Sequence, residues 1–134
     1  MKIFISHTES NSDLSRGIAQ GLAERGFDVW FDEWQIHPGD NWAKKLGVAL
    51  ERADVMVAVV PENGIEGRWQ TGEIQYALTT PRFKGRLIPV VSRRTPLVPW
   101  MLSSPDVVRP ARSREETIRR VVAALEKTAA EQTS

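Results

Sequence analysis

The stretch GRWQTGEIQYAL, residues 67–78, sets an aromatic residue and a carboxylate four positions apart. In a helix that spacing puts Trp69 and Glu73 on one face, while Ile74, Ala77 and Leu78 turn toward the core. Glu73 then borders the apolar stripe, where a carboxylate can hold hydroxyl groups and stabilise developing positive charge. An aromatic beside it can stack on a base or ring, for about 1–3 kcal/mol by analogy with nucleobase platforms. The plain alternatives are a solvated helix glutamate and a half-buried packing tryptophan, and spacing alone does not choose.

Other candidates for chemistry thin out quickly. His7 and His37 are the only histidines, and they lie far apart without metal-ligand spacing. With no cysteine, thiol nucleophiles, disulfides and CxxC zinc sites are excluded together. No G-x-G-x-x-G, G-x-x-x-x-G-K-[ST] or G-x-S-x-G occurs, so a dinucleotide fingerprint, a P-loop and a hydrolase elbow lose their sequence support. Ser6 and His7 with some acid would suggest a triad, but adjacent residues at a strand end point opposite ways.

Two hydrophobic periods alternate along the chain and supply the elements that must position these groups. KIFIS (2–6), DVWF (28–31), DVMVAVV (54–60) and RLIPVV (86–91) read as buried strands, with a short fifth near Asp106 to Val108. Leu14, Ile18 and Leu22 mark a helix behind the cap Ser12, ended by Gly26. A second starts at the N-cap Asp40 and shows Ala43, Leu46 and Leu50 to the core. A third runs from Trp69 to Thr79 before Pro81, and a last from Ser113 to Ala130 presents Ile118, Val121, Val122 and Leu125. The Pro-rich residues 93–105 read as irregular. Such alternation predicts an α/β fold, a doubly wound five-stranded parallel sheet in the order 2-1-3-4-5 with helices on both faces. Ligands then sit outside the carboxyl ends of strands one and three, so HTESN (7–11) and PENGIEGRW (61–69) should build the site.

One connector is unusual. FDEWQIHPGDNW, residues 31–42, carries Trp34, Ile36 and Trp42 among charged residues where most strand-to-helix links are short and polar. Its apolar side chains would cost free energy as one patch in water, and Trp34 and Ile36 are the expected contact residues for a partner.

At 134 residues the chain is the size of a single domain, 1–134. Its 18 Lys and Arg against 17 Asp and Glu give a net charge of +1, so no global field draws nucleic acid or a membrane surface. The arginines at 109, 112, 114, 119 and 120 are interleaved with Glu115, Glu116 and Glu126 and read as a solvated helix face. Ile3 to Ile5 is too short for a signal-peptide core or a membrane span, and a cytoplasmic location is expected.

Taken in order, KIFISH, VWFDEWQIHPGDNW, ADVMVAVV, RWQTGE and RLIPVV resemble the successive boxes of a Toll/interleukin-1 receptor (TIR) domain of the bacterial type, from Lys2 to Leu125. The resemblance implies a flavodoxin-like fold and, as in many members, cleavage of NAD+ by a single glutamate, here matching Glu73 after the aromatic Trp69. It implies nicotinamide and ADP-ribose or a cyclic ADP-ribose as products, NAD+ as substrate, no further cofactor and no metal. The backbone and hydroxyls of Ser6, His7 and Thr8 could meet the substrate from strand one, with Arg68 a weaker candidate phosphate partner that is more readily read as a solvated charge. The connector matches the family's BB loop, which implies that Trp34, Ile36, His37, Pro38 and Gly39 contact another TIR domain and that self-assembly activates the enzyme. Anti-phage defence is a common setting of bacterial relatives, and the chain could be the first domain of a longer protein. Two departures are visible, Gly67 and Gln70 where the family often has Ser and Cys.

Physical chemistry explains why one carboxylate can suffice. Glycosidases generally use a pair, one of which protonates the leaving oxygen. In NAD+ the leaving group is a cationic pyridinium that departs neutral without an acid. The alternative reading is a non-catalytic TIR–TIR interaction module, adaptor or effector. A third is a flavodoxin-like nucleotide or nucleoside enzyme outside the family.

Overall fold

A computed structural model describes residues 1–8, 10, 12–61, 68–91, 101, 107–109 and 111–133. The elements are β1 (Lys2–Ser6), α1 (Ser12–Glu24), β2 (Asp28–Trp30), α2 (Asp32–Gln35), α3 (Trp42–Arg52), β3 (Val55–Val60), α4 (Arg68–Thr79), a 3-10 turn (Pro81–Phe83), β4 (Leu87–Val91) and α5 (Arg114–Thr133). All strand pairs are parallel, in the order β2-β1-β3-β4, with Phe4 opposite Trp30 on one side and Met56 on the other. The doubly wound architecture is therefore as the alternation predicts. The fifth strand is reduced, among the described residues, to a bridge: Val108 donates to the Pro89 carbonyl at 2.8 Å and accepts from Val91 N at 2.9 Å. Asp106 and most of the Pro-rich stretch, Trp100 included, lie outside the described residues.

Side-chain alternation fixes which way each strand residue looks. Ile3, Ile5, Val57 and Val90 face α1 and α5, packing with Ile18, Leu22, Val121 and Leu125. Phe4, Met56 and Ala58 face the opposite layer, with Leu46 and Leu50 of α3 and Ile74 and Ala77 of α4. Each such aliphatic chain contributes about 1.5–3 kcal/mol when buried, so a one-residue slip of β1 would expose its whole apolar set. This register carries over to the strand's end: Ser6 must look where Phe4 looks, toward α4, and His7 must look the other way.

Three local expectations are corrected. The second helix is capped by Asn41, whose side chain accepts from Lys44 N, and not by Asp40. Asp40 instead accepts from His37 N at 2.7 Å and from Lys45 Nζ at 2.8 Å, which closes the turn around Pro38 and Gly39. Ala43 consequently faces solvent while Leu46 and Leu50 are buried. On α4, Ile74 and Ala77 are buried as expected but Leu78 is 47% exposed, because the next core position of that stripe is taken by Phe83 of the 3-10 turn. Gly26 ends α1 at φ +88°, a conformation open to glycine, with Phe27 N donating back to the Leu22 carbonyl at 3.1 Å.

Candidate active site at the carboxyl ends of β1 and β3

Ser6 is the last residue of β1 and fully buried. Its Oγ donates to Glu73 Oε1 at 2.7 Å, across 67 residues of chain. Helix α4 runs over the ends of β1 and β3, and Ile74 and Ala77 anchor it there, which leaves Glu73 at the margin of the apolar layer. Its carboxyl is mostly withdrawn from water, and that burial pushes its pKa up to about 7. The Ser6 hydrogen bond and the nearby His7 pull the other way, while the Asp32 charge adds to the rise.

His7 looks toward the other layer, as the strand period requires. Its Nε2 meets Asp32 Oδ1 at 2.7 Å, its Nδ1 meets the Thr8 carbonyl at 3.0 Å, and its ring packs 4.8 Å from that of Phe31. Both ring nitrogens thus face acceptors, an arrangement suited to the doubly protonated imidazolium. Burial alone would lower the His7 pKa, but the hydrogen bonds to Asp32 and Thr8 and the charges of Asp32 and Glu33 outweigh it and leave it raised. No Ser-His-Asp triad is formed, since the Ser6 hydroxyl turns to Glu73 and the imidazole to Asp32.

A second buried polar group completes the corner. Gln70, one turn before Glu73 and 1% exposed, donates from Nε2 to the Val59 carbonyl at 2.8 Å and to the Ser6 carbonyl at 3.4 Å. Its other amide atom, Oε1, is buried without a hydrogen-bond partner among the described residues.

Of the candidates named from sequence, Ser6, His7, Thr8 and Glu73 come together at one corner of the sheet. The hydroxyl of Thr8 pairs with Ser10 Oγ at 2.9 Å. The backbone of Arg68 and Trp69 opens α4, while the expectations for their side chains, and for residues 62–67, lie outside the described residues. The connector splits in two. Trp34, in the single turn of α2, is half-buried, packing edge-on against Phe31 at 5.4 Å and against its own domain's core. Ile36 is half-buried, and His37, Pro38 and Gly39 (φ +91°) form the exposed tip. Sequence reasoning missed Asp32 and Gln70. Asp32 was recoverable from topology, because the order 2-1-3 sets the carboxyl end of β2 beside that of β1.

A groove lies elsewhere among the described residues. A cavity of about 590 Å³ lies between β2 and α3, lined by Ile3, Val29, Trp30, Lys44, Ala49 and Arg52 among others, and none of Ser6, His7 or Glu73 borders it. Among the described residues no cluster of three or more potential metal ligands occurs, and no helix is long and apolar enough to cross a membrane.

A family profile described as TIR domain matches residues 3–122. The chain belongs to the TIR family. Over 72 residues this TIR domain is 32% identical to the 2' cyclic ADP-D-ribose synthase BtTIR of Bacteroides thetaiotaomicron, a match covering 53% of this chain and 25% of that protein. Over 73 residues it is 27% identical to the NAD(+) hydrolase PdTIR of Paracoccus denitrificans, covering 54% of this chain and 24% of that one. The matches span about a quarter of the length of these curated relatives. Among solved structures, the TIR domain of the Toll-related receptor TRR-2 from Hydra magnipapillata superposes with a TM-score of 0.63 at 16% identity, over 80% of this chain and 82% of that one. The CMP N-glycosidase BcmB of Clostridium botulinum gives a TM-score of 0.61 at 14% identity, over 92% of this chain and 98% of that one. At these identities the likeness is one of fold.

Proposed function

We propose that this TIR domain cleaves the bond between nicotinamide and ribose in NAD+. The observation that carries the reading is Glu73, a carboxyl group withdrawn from water at the switch point, hydrogen-bonded to Ser6 and poised to gain or lose a proton near neutral pH. The relatives named as a 2' cyclic ADP-ribose synthase and an NAD+ hydrolase support it.

In the proposed reaction the C1'–N bond breaks and its electron pair stays with the ring nitrogen, so the pyridinium leaves as neutral nicotinamide. Positive charge develops on the ribose ring. An ionised Glu73 stabilises it in a site of low dielectric, where a fixed charge is worth more than in water. Water or a ribose hydroxyl of the same molecule then attacks C1', and its proton passes to Glu73, whose affinity near 7 suits a general base. The first nucleophile gives ADP-ribose, the second a cyclic ADP-ribose. Self-association through the exposed tip at His37, Pro38 and Gly39 is the proposed means of activation.

Incubation of concentrated protein with NAD+ and chromatographic detection of nicotinamide tests the reading. Release by the unmutated chain and its loss in Glu73→Gln are expected; equal release by both would refute the assignment.

A further inference from the structure

Gln70 stands apart from every other buried side chain near the site. The β1–β3 ladder pairs Ser6 with Ala58 as its last described rung, and the Ser6 and Val59 carbonyls lie at that end. Gln70 Nε2 reaches both, at 3.4 and 2.8 Å, and so adds a helix side-chain donor at the end of the ladder. Ser6 is thereby held twice by α4, through its carbonyl by Gln70 and through its hydroxyl by Glu73. An apolar residue of the same shape would withdraw the donor from the Val59 carbonyl, whereas Gln70 supplies it while leaving its own Oε1 buried and unpartnered among the described residues.

We infer that Gln70 is a positioning residue: by clamping the ends of β1 and β3 to the first turn of α4, it holds the Ser6 hydroxyl in line with the Glu73 carboxylate. The inference rests on the proposed role of Glu73 for its bearing on turnover, but not for its structural content. The amide is the right group for the task. One nitrogen carries two hydrogens, one for each carbonyl. A cysteine, the residue type the family resemblance sets at this position, offers one weak donor on a shorter stem and cannot span both. When the clamp is lost, the Ser6 hydrogen bond to the ionised form of Glu73 weakens. The charged groups facing Glu73 are His7 beyond β1 and Asp32 on α2, and neither touches Gln70, so their influence is kept.

The test is an NMR titration of the Glu73 carboxyl in protein labelled with 13C-glutamate, for the unmutated chain, Gln70→Met, Ser6→Ala and the double variant. Gln70→Met is expected to raise the Glu73 midpoint by up to about one pH unit, as Ser6→Ala does, with the double variant going no further than Ser6→Ala alone. Nicotinamide release at pH 7 should fall by up to about tenfold in Gln70→Met and recover as the pH is raised. An unmoved midpoint, or two shifts that add in full, overturns the inference, because a residue that only supports the fold would lower stability and leave the titration in place. If Gln70→Met does not fold, Gln70→Asn, whose amide is one methylene short of the carbonyls, must give the shift, and its failure to do so is equally decisive. A shifted midpoint in a chain whose unmutated form releases no nicotinamide would sink the proposed reaction and leave the clamp standing.

Discussion

The two ends of β1 have opposite characters. At its amino end, Ile3 borders a groove of about 590 Å³ with apolar walls and a largely cationic rim of Lys2, Lys44, Lys45 and Arg52 beside Asp28. At its carboxyl end, Ser6, His7, Gln70, Asp32 and Glu73 are linked into a buried or half-buried polar cluster. This groove and the polar cluster are therefore separated by the length of one five-residue strand. The groove follows from topology: β2 is a three-residue edge strand, too short to cover α3 fully. The polar cluster follows from nothing that folding requires, since a carboxyl group withdrawn from water destabilises the fold in its charged form. A feature that opposes stability is better evidence of function than one that packing leaves behind.

The largest effect expected is that of Glu73→Gln, which should lower nicotinamide release at least about a hundredfold, the scale of losing one preorganised electrostatic group. It should also stabilise the protein. The folded pKa of Glu73, about 7, lies above its ordinary value of 4.5, so the folded state binds more protons between those limits and stability falls as pH rises through them. The loss is complete above pH 7 and absent below 4.5, and its ceiling is about 3 kcal/mol. Denaturant melts at pH 4 and pH 8 should show Glu73→Gln unchanged at the first and more stable at the second. Lys44→Ala, on the rim of the groove, should leave turnover within about twofold. A Lys44 effect larger than that of Glu73 would reverse the comparison.

Next in size is Trp34→Ala. Its indole packs on Phe31 and joins the layer beneath α1 and α5, so its removal should cost about 2 kcal/mol of monomer stability. Equilibrium unfolding checks this, and a loss near zero would restore Trp34 to the outward-facing set.

Much of this was legible in the sequence because two physical signals agree over long stretches. The run VMVAVV of β3 is buried at every position, and Ile118, Val121 and Leu125 hold one stripe of α5. Glu73 was legible for a different reason, being the one carboxylate beside an apolar stripe where the winding reverses. What was not legible depends on competition between near-equal choices. Asp40 and Asn41 are both good caps, and the decision fell to Lys45 and the His37 amide, which occupy the Asp40 carboxylate. Residues 31–42 read as a loop leave open whether Trp34 meets a partner or folds back on its own domain; the single turn Asp32–Gln35 turns it partly inward, with Gln35 Oε1 accepting from Phe31 N at 2.8 Å. Gln70 carried no local signal, for its use depends on two carbonyls far away in the chain.

A smaller effect is expected at Asp32→Asn. In the unmutated protein the pairing of Asp32 with His7 contributes stability that is fully present below the ordinary histidine value of 6.5 and is lost as pH rises through the raised value in the folded state. The variant should therefore be destabilised more at pH 6 than at pH 9. With its partner gone, burial becomes the dominant influence on His7, and its titration, followed by the imidazole proton resonance, should move below 6.5. Glu73 should move less, because it loses the Asp32 charge that raises its pKa together with most of the His7 charge that lowers it. A His7 midpoint that stays put would mean that Asp32 does not hold the imidazole in solution.

The smallest effect on the monomer is expected at the exposed tip. His37→Ala and Pro38→Ala remove side chains that stand in solvent, so each should change unfolding free energy by less than about 0.5 kcal/mol. Their effect on turnover should nonetheless depend on concentration. The tip is fixed from behind, by the Asp40 carboxylate on His37 N and by Lys45 on both Asp40 and the Gln35 carbonyl, and a preformed surface loses little freedom on meeting a partner. Through α2 it is also joined to the site, since Asp32 opens the turn that leads to the tip and holds His7 at the other end. In the proposed activation, a neighbour that grips the tip acts through α2 on the Asp32–His7 pair and the charges facing Glu73. Total activity should rise faster than linearly with concentration for the unmutated chain, so that specific activity climbs over a dilution series, and the climb should shrink in both variants while activity at the lowest concentration is unchanged. A flat profile for the unmutated chain would detach the tip from turnover and leave the corner at Ser6 and Glu73 to act alone.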